Sequence, residues 1–171
     1  MTKKILLTGR PGCGKTTLVK RVVAKLLFPA GGFYTEEIRQ RGERVGFKIV
    51  TLDGEEVVLA HVDFKTRQRI GKYGIDLSGL ETIGVEAIRR AVRARRLVVA
   101  DEIGPMELRS DIFRDAITET FDSPAPILAT VTARSFPFTE AIKKRRNAIL
   151  IEVRRDNRDQ LVSELSDQFT R

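Results

Sequence analysis

The sequence predicts an α/β fold: a mostly parallel sheet in three layers, with helices on both faces. Three observations carry this. Short apolar runs alternate with segments whose apolar residues recur at helical spacing, and strand–helix alternation of this kind builds a parallel sheet. A glycine-rich loop joins the first strand to the first helix, where α/β sheets bind phosphate. From Phe33 to Ala60, apolar and polar residues alternate and glycine breaks the runs, which predicts an inserted antiparallel hairpin or meander. With 171 residues and no internal repeat or low-complexity linker, one domain is expected over 1–171, with the meander at about 33–60.

Ile5-Leu6-Leu7 ends at Thr8-Gly9 and reads as a buried strand. Leu18, Val19, Val22, Val23, Leu26 and Leu27 share one face of a helix over 15–27, and Pro29 comes just after its stop. Three meander strands are expected near 33–39, 44–51 and 56–60. Arg41-Gly42-Glu43 and Asp53-Gly54 supply the turns. The pattern is weak over 63–79, which reads as loop. Ile83, Ala87, Ile88, Ala91 and Val92 then mark a helix, and Leu97-Val98-Val99-Ala100 a buried strand. Ile112, Phe113, Ala116, Ile117 and Phe121 line another helix, succeeded by a strand over 126–131. A helix over 137–145, a strand over 148–153 and a last helix through Leu161, Val162, Leu165 and Phe169 complete the chain, with Asp156 or Asn157 as the last helix's cap.

Composition removes whole classes of function. No apolar run exceeds four residues, which excludes a membrane-spanning helix and a signal-peptide core and predicts a cytoplasmic protein. One cysteine and one histidine exclude a disulfide framework and a zinc site built from those residues. The net charge of +8, carried by 21 Arg and 10 Lys, points to a polyanionic partner: phosphates of a small ligand or a nucleic-acid backbone.

The strongest motif is Gly9-Arg10-Pro11-Gly12-Cys13-Gly14-Lys15-Thr16, a complete G-x-x-x-x-G-K-S/T phosphate loop in its proper strand–loop–helix setting. Phosphate oxygens need many N–H donors aimed into one small space. Glycines let the backbone wrap with those donors inward, and the helix N-terminus adds partial positive charge. Lys15 reaches the outer phosphates and the Thr16 hydroxyl is a Mg²⁺ ligand. Cys13 reads as a small loop residue, and His61 as structural or exposed.

Arg95-Arg96-Leu97-Val98-Val99-Ala100-Asp101-Glu102 is a buried strand ending in two carboxylates, 86 positions beyond Lys15. Ligands of open α/β sheets lie at the carboxyl ends of strands, so Asp101 projects to the edge where Gly9 lies and is the expected Mg²⁺-supporting acid. Successive side chains of an extended segment diverge, which leaves Glu102 free to act as base toward an attacking water. The alternative for Glu102 is an ion-pair partner. Glu107, behind the Gly104-Pro105 turn, reads as structural.

Several segments occur in order: the phosphate loop, Gly32-Phe33-Tyr34-Thr35-Glu36-Glu37, Gly46 to Leu52, Gly71-Lys72-Tyr73-Gly74, Asp101 to Leu108 and Asn157-Arg158-Asp159. Together they closely resemble a family of small P-loop nucleoside-triphosphatases, first described from thermophiles and including a human cancer-related member. The resemblance spans nearly the whole chain. It implies a RecA-like fold and Mg²⁺-dependent hydrolysis of several nucleoside triphosphates (ATP, GTP, CTP, UTP) to diphosphate and phosphate. It carries over a nucleotide-binding role to Gly9–Thr16 and to Val98, Val99, Ala100, Asp101, Glu102, Ile103, Gly104 and Pro105. Many members carry Lys where this chain has Pro105. Asn157-Arg158 resembles the family's element near the base: Arg158 either stacks on any base or is a solvated residue behind a helix cap.

Two basic clusters remain, Arg89–Arg96 and Lys143–Arg146. Arg145 or Arg146 is a candidate for stabilising transition-state charge, and Thr130 for sensing the γ-phosphate. A nucleoside or nucleotide kinase is the alternative to a hydrolase, but no acceptor-binding residue set is recognisable. A nucleotide-gated nucleic-acid binder is a further alternative. Aromatics are few for it, at 6% with no Trp. The oligomeric state is not encoded in any of these patterns.

Overall fold

The computed structural model describes residues 2–170. Among the described residues nine strands, numbered in chain order with ranges given next, form one sheet in the order β5-β6-β4-β3-β2-β7-β8-β1-β9. Its parallel half contains β1 (Lys4–Thr8), β2 (Ala30–Gln40), β7 (Leu97–Ile103), β8 (Ile127–Val131) and β9 (Ala148–Glu152). Its antiparallel half contains β3 (Glu43–Thr51), β4 (Glu56–His61), β5 (Arg69–Ile70) and β6 (Tyr73–Ile75). Among the described residues no helix is long and apolar enough to cross a membrane.

The apolar strands are buried on both faces, as their runs require. Ile5 and Leu7 of β1, with Leu97 and Val99 of β7, pack under α1 (Lys15–Lys25) and α6 (Arg158–Thr170). Leu6, Val98 and Ala100 face the other way. They meet Ile88 of α3 (Val85–Arg93) and Phe113 and Ile117 of α4 (Asp111–Asp122). Alternation of side chains across the pleat thus builds two cores from one sheet.

Four features differ from or add to the sequence reading. The first helix stops at Lys25, so Leu27 lies outside it and is 91% exposed. The meander is present as expected, and it is continuous with the parallel sheet. Ala30 to Tyr34 of β2 pair parallel to β7, and the same strand then runs on into antiparallel pairing with β3. The stretch expected as loop over 63–79 holds β5, β6 and the short α2 (Leu77–Gly79), which leads through a π turn (Leu80–Gly84) into α3. Strands of two and three residues are too short for alternation to register; Tyr73 is fixed by its edge-on contact with Phe47 at 5.3 Å. The third late helix, α5, is shorter than expected (Pro137–Lys143).

One buried cation holds the amino edge of the sheet. Lys4 is 1% exposed, and its ammonium donates to the carbonyls of Thr120, Ser123 and Ala125 at and beyond the C-terminus of α4. Helix C-terminal carbonyls lack partners of their own and carry partial negative charge, so the ammonium caps them.

Candidate active site

The site is a consequence of strand order. β8 lies between β1 and β7, so the loop after β1 and the acids ending β7 face each other across the end of β8. Thr130 of β8 stands opposite Leu7 of β1 and fills the gap. Its hydroxyl donates to Asp101 Oδ1 at 2.6 Å, and Thr16 Oγ1 donates to Asp101 Oδ2 at 2.8 Å. Thr35 Oγ1 donates to the Asp101 carbonyl at 2.7 Å. Three threonines from three elements therefore fix one buried acid. Burial pushes the Asp101 carboxyl upward, against the hydrogen bonds from Thr130 and Thr16 that favour its anion.

The Cys13 N–H donates to the Arg10 carbonyl at 3.2 Å, while the start of the helix behind the loop has no side-chain cap. Gly14 caps α1 with φ 98°, and no side chain accepts from the first helical N–H groups. A Cβ at Gly14 would stand 2.9 Å from Arg158 Nη1, so glycine is required by space as well as by φ. The Lys15 ammonium donates to the Gly9 carbonyl at 2.9 Å and the Arg10 carbonyl at 3.2 Å. Charge-assisted bonds to phosphate oxygens are stronger and can replace these.

Lys15, Thr16, Asp101, Glu102 and Thr130 line one cavity of about 700 Å³, with Gly9, Pro11, Gly12 and Gly14 at its floor. Glu102 is pushed above the usual carboxylate range by burial first and by Asp101 next, while Lys15 opposes the shift. Gly104 leaves room for it: a Cβ there would stand 2.8 Å from Glu102 Oε1. Glu107 is buried and pushed up to about 8 by burial and by Glu102, so it is neutral near pH 7. Tyr34 is raised to about 12 by burial and the nearby Asp101.

Thr16 and Asp101 present oxygen donors 2.8 Å apart. No cluster of three His, Cys, Asp or Glu residues able to hold a metal exists among the described residues. This donor set fits a hard divalent cation that completes its shell with phosphate and water, as Mg²⁺ does.

Several residues lie elsewhere than expected. Val98, Val99, Ala100 and Ile103 are wholly buried, and their side chains build the strand rather than the cavity. Pro105 lines a neighbouring cavity. Arg10 and Cys13 line a third one, of about 440 Å³, with Glu152 to Arg155. Asn157 closes the turn beside it, accepting from the Arg154 N–H at 2.8 Å and donating to the Glu152 carbonyl at 2.9 Å. Arg158 lies against Gly14. Neither lines these cavities: Asn157 holds the turn whose residues Glu152 and Arg154 line the third one, and Arg158 stands behind Gly14 of the main one. Arg145 pairs with Asp122 and precedes β9, whose first residue Ala148 aligns with Lys4 at the amino edge. It stands across the sheet from the phosphate loop, so it supplies no charge there; Arg146 adjoins it in the chain. Thr130 is spent on Asp101.

Sequence reasoning missed Thr35, Glu36, Glu37, Arg44, Phe47, Thr132 and Arg134, all of which line the main cavity. The Gly-Phe-Tyr-Thr-Glu segment contained Thr35, but nothing in spacing pairs it with Asp101. The alignment of β2 with β7 does so, through Tyr34 opposite Asp101.

Comparison with known proteins shows the family and the fold. The sequence profile of a family described as NTPase matches residues 4–166. The chain belongs to the NTPase family. It is similar to nucleoside-triphosphatase THEP1 of Thermotoga petrophila, at 51% identity over 95% of this chain and 90% of that protein. The crystal structure of THEP1 from Aquifex aeolicus superposes with a TM-score of 0.90, at 35% identity, covering 98% of this chain and 99% of the other. The solution structure of a human cancer-related nucleoside triphosphatase does so at 0.85, with 34% identity, covering 98% and 97%. The three-layer P-loop architecture is thus shared by this NTPase and by relatives far apart in sequence.

Proposed function

We propose that this NTPase hydrolyses nucleoside triphosphates with Mg²⁺, cleaving the γ-phosphate to leave the diphosphate, with little preference among bases. The observation that carries the proposal is the meeting of Thr16 and Thr130 on Asp101, with Glu102 on the wall of the same cavity. Phosphoryl transfer needs positioning and charge stabilisation more than covalent chemistry, and these residues supply both.

The loop N–H groups and the α1 N-terminus hold the phosphates. Lys15 leaves the Gly9 and Arg10 carbonyls for phosphate oxygens. Thr16 and Asp101 would hold Mg²⁺, which when bound offsets charge on the outer phosphates. Glu102 orients a water and takes its proton at the carboxylate. Its raised pKa makes it a stronger base than an ordinary carboxylate, at the cost of being protonated in mild acid.

Loose base selection fits the third cavity. Its lining contains Arg154 and Arg155 beside Glu152, and no amide or hydroxyl side chain. Guanidinium planes stack on any base. A cytoplasmic setting supplies the substrate and suits the free thiol of Cys13.

The basic clusters lend little to a nucleic-acid role. Arg89 pairs with Glu119, Arg90 with Asp53 and Glu55, Arg93 with Glu86, and Lys143 with Glu140. Much of their charge is offset locally.

The test is phosphate release from ATP, GTP, CTP and UTP, with and without a chelator. Activity on all four within about tenfold, abolished by chelation, is expected. Glu102→Gln should retain nucleotide binding and lose roughly 100-fold or more in kcat, together with the acid limb of the pH–rate profile. An unchanged kcat would remove Glu102 from the reaction.

A further inference from the structure

Beside the nucleotide cavity lies a second one, of about 460 Å³, with Pro105 on its wall. Three arginines from three separate segments converge on it: Arg69 of β5, Arg109 of the turn after β7 and Arg134 of the loop after β8. Its apolar wall includes Ile70, Leu108 and Phe136. Among the described residues no carboxylate lines it.

These arginines differ from nine others, which are ion-paired. Arg21, Arg39, Arg44, Arg89, Arg90, Arg93, Arg114, Arg145 and Arg154 each have a carboxylate within ion-pair distance. Arg69, Arg109 and Arg134 have none among the described residues. Arg69 is held by the carbonyls of Phe64 and Lys72 at 2.7 and 2.8 Å, and Arg109 by the carbonyl of Arg69 at 3.1 Å. The Arg134 guanidinium lies over the Phe136 ring at 5.4 Å. Carbonyls and a ring face orient a guanidinium without neutralising it. The result is three uncompensated positive charges beside an apolar wall, and like charges brought together attract an anion. Arginine is well suited to phosphate because its fork donates two parallel bonds.

We propose that this cavity binds a second ligand, a phosphate monoester with a flat or apolar body. Its phosphate sits on Arg109 and Arg134, and its body lies against Leu108 and Phe136. Arg134 also lines the nucleotide cavity, so the two sites are contiguous and both are occupied at once. The site stands apart from the hydrolase reading, because ligand binding here is measurable whether or not nucleotide is turned over.

Phenyl phosphate is the probe, titrated by calorimetry into the full chain, alone and with the nucleotide site saturated by a non-hydrolysable ATP analogue. One saturable site is expected that persists with the analogue present. Arg109→Gln should weaken it roughly tenfold or more, the loss expected for a charged hydrogen bond, whereas Arg109→Lys should weaken it less. Arg93→Gln, on an ion-paired surface arginine, should change it less than about twofold. Phenol should fail to bind, and inorganic phosphate should bind about tenfold more weakly. Thermal unfolding checks that each variant is folded, and Arg134→Gln provides a second binding readout should Arg109→Gln not fold. Absence of a saturable site, displacement of the probe by the analogue, equal binding of phenol, or affinity indifferent to both arginine substitutions would overturn the proposal.

Discussion

Gly104 sets where the Glu102 carboxylate rests, and adding one methyl group there tests how finely that placement matters. The backbone at Gly104 is outside the left-handed region, so alanine is compatible with it. The added Cβ would stand 2.8 Å from Glu102 Oε1 and 3.1 Å from its Cδ, whereas ordinary contact begins near 3.4 Å. The carboxylate therefore retreats by about 0.6 Å. A displacement of about 1 Å at a reacting group costs on the order of 100-fold, so Gly104→Ala should lower kcat roughly tenfold, about 1.4 kcal/mol in the barrier. KM should move less than about twofold, because the phosphate loop is untouched. Steady-state phosphate release measures both. Adding Glu102→Asp, whose shorter side chain clears the Cβ, should cost less in the double variant than the two single losses combined. A kcat within about twofold of wild type, in a chain with unchanged thermal stability, would refute the idea that Glu102 is placed by this contact.

Two further outcomes concern stability. Lys4→Met removes the donor that caps Thr120, Ser123 and Ala125 and should cost roughly 2–4 kcal/mol, or about 5–15 °C in Tm; a shift below about 2 °C would show that those carbonyls find other partners. Glu107 holds its proton to about pH 8 when folded but releases it near 4.5 when unfolded, so the folded state binds more protons between these values and stability falls as pH rises. Glu107→Gln should flatten that slope, gaining stability over wild type at about pH 9 and little at about pH 4; denaturant unfolding with a pH-independent difference would contradict it.

Legibility in the sequence tracked locality. The phosphate loop was legible because all its chemistry lies in eight consecutive residues whose types are dictated by phosphate geometry. Asp101 and Glu102 were legible because a buried parallel strand delivers the residues at its C-terminal end to the carboxyl edge of the sheet. The core parallel strands were legible as unbroken apolar runs. Features that strand order alone decides escaped. Thr130 reads as a candidate phosphate sensor, yet β8 lies between β1 and β7, and that places its hydroxyl on Asp101. Arg145 comes after α5 and reads as near the site, but it stands at the opposite edge of the sheet, where it pairs with Asp122. The strands β5 and β6 are held by cross-strand partners far away in sequence, which no short window records. The net charge of +8 divides in the same way. Lys15 serves the phosphate loop, Lys4 caps a helix, Arg89, Arg90 and Arg93 of α3 are ion-paired, and Arg69, Arg109 and Arg134 are among those left without a carboxylate, around a cavity.

Water as the acceptor at the γ-phosphorus is the claim on which the function rests. Hydrolysis of ATP in ¹⁸O-labelled water, with mass spectrometry of both products, tests it most directly. The proposed role of Glu102, directing water to the outer phosphorus, predicts one labelled oxygen in each released phosphate and none in the diphosphate. Label in the diphosphate, or phosphate released without label, would contradict it.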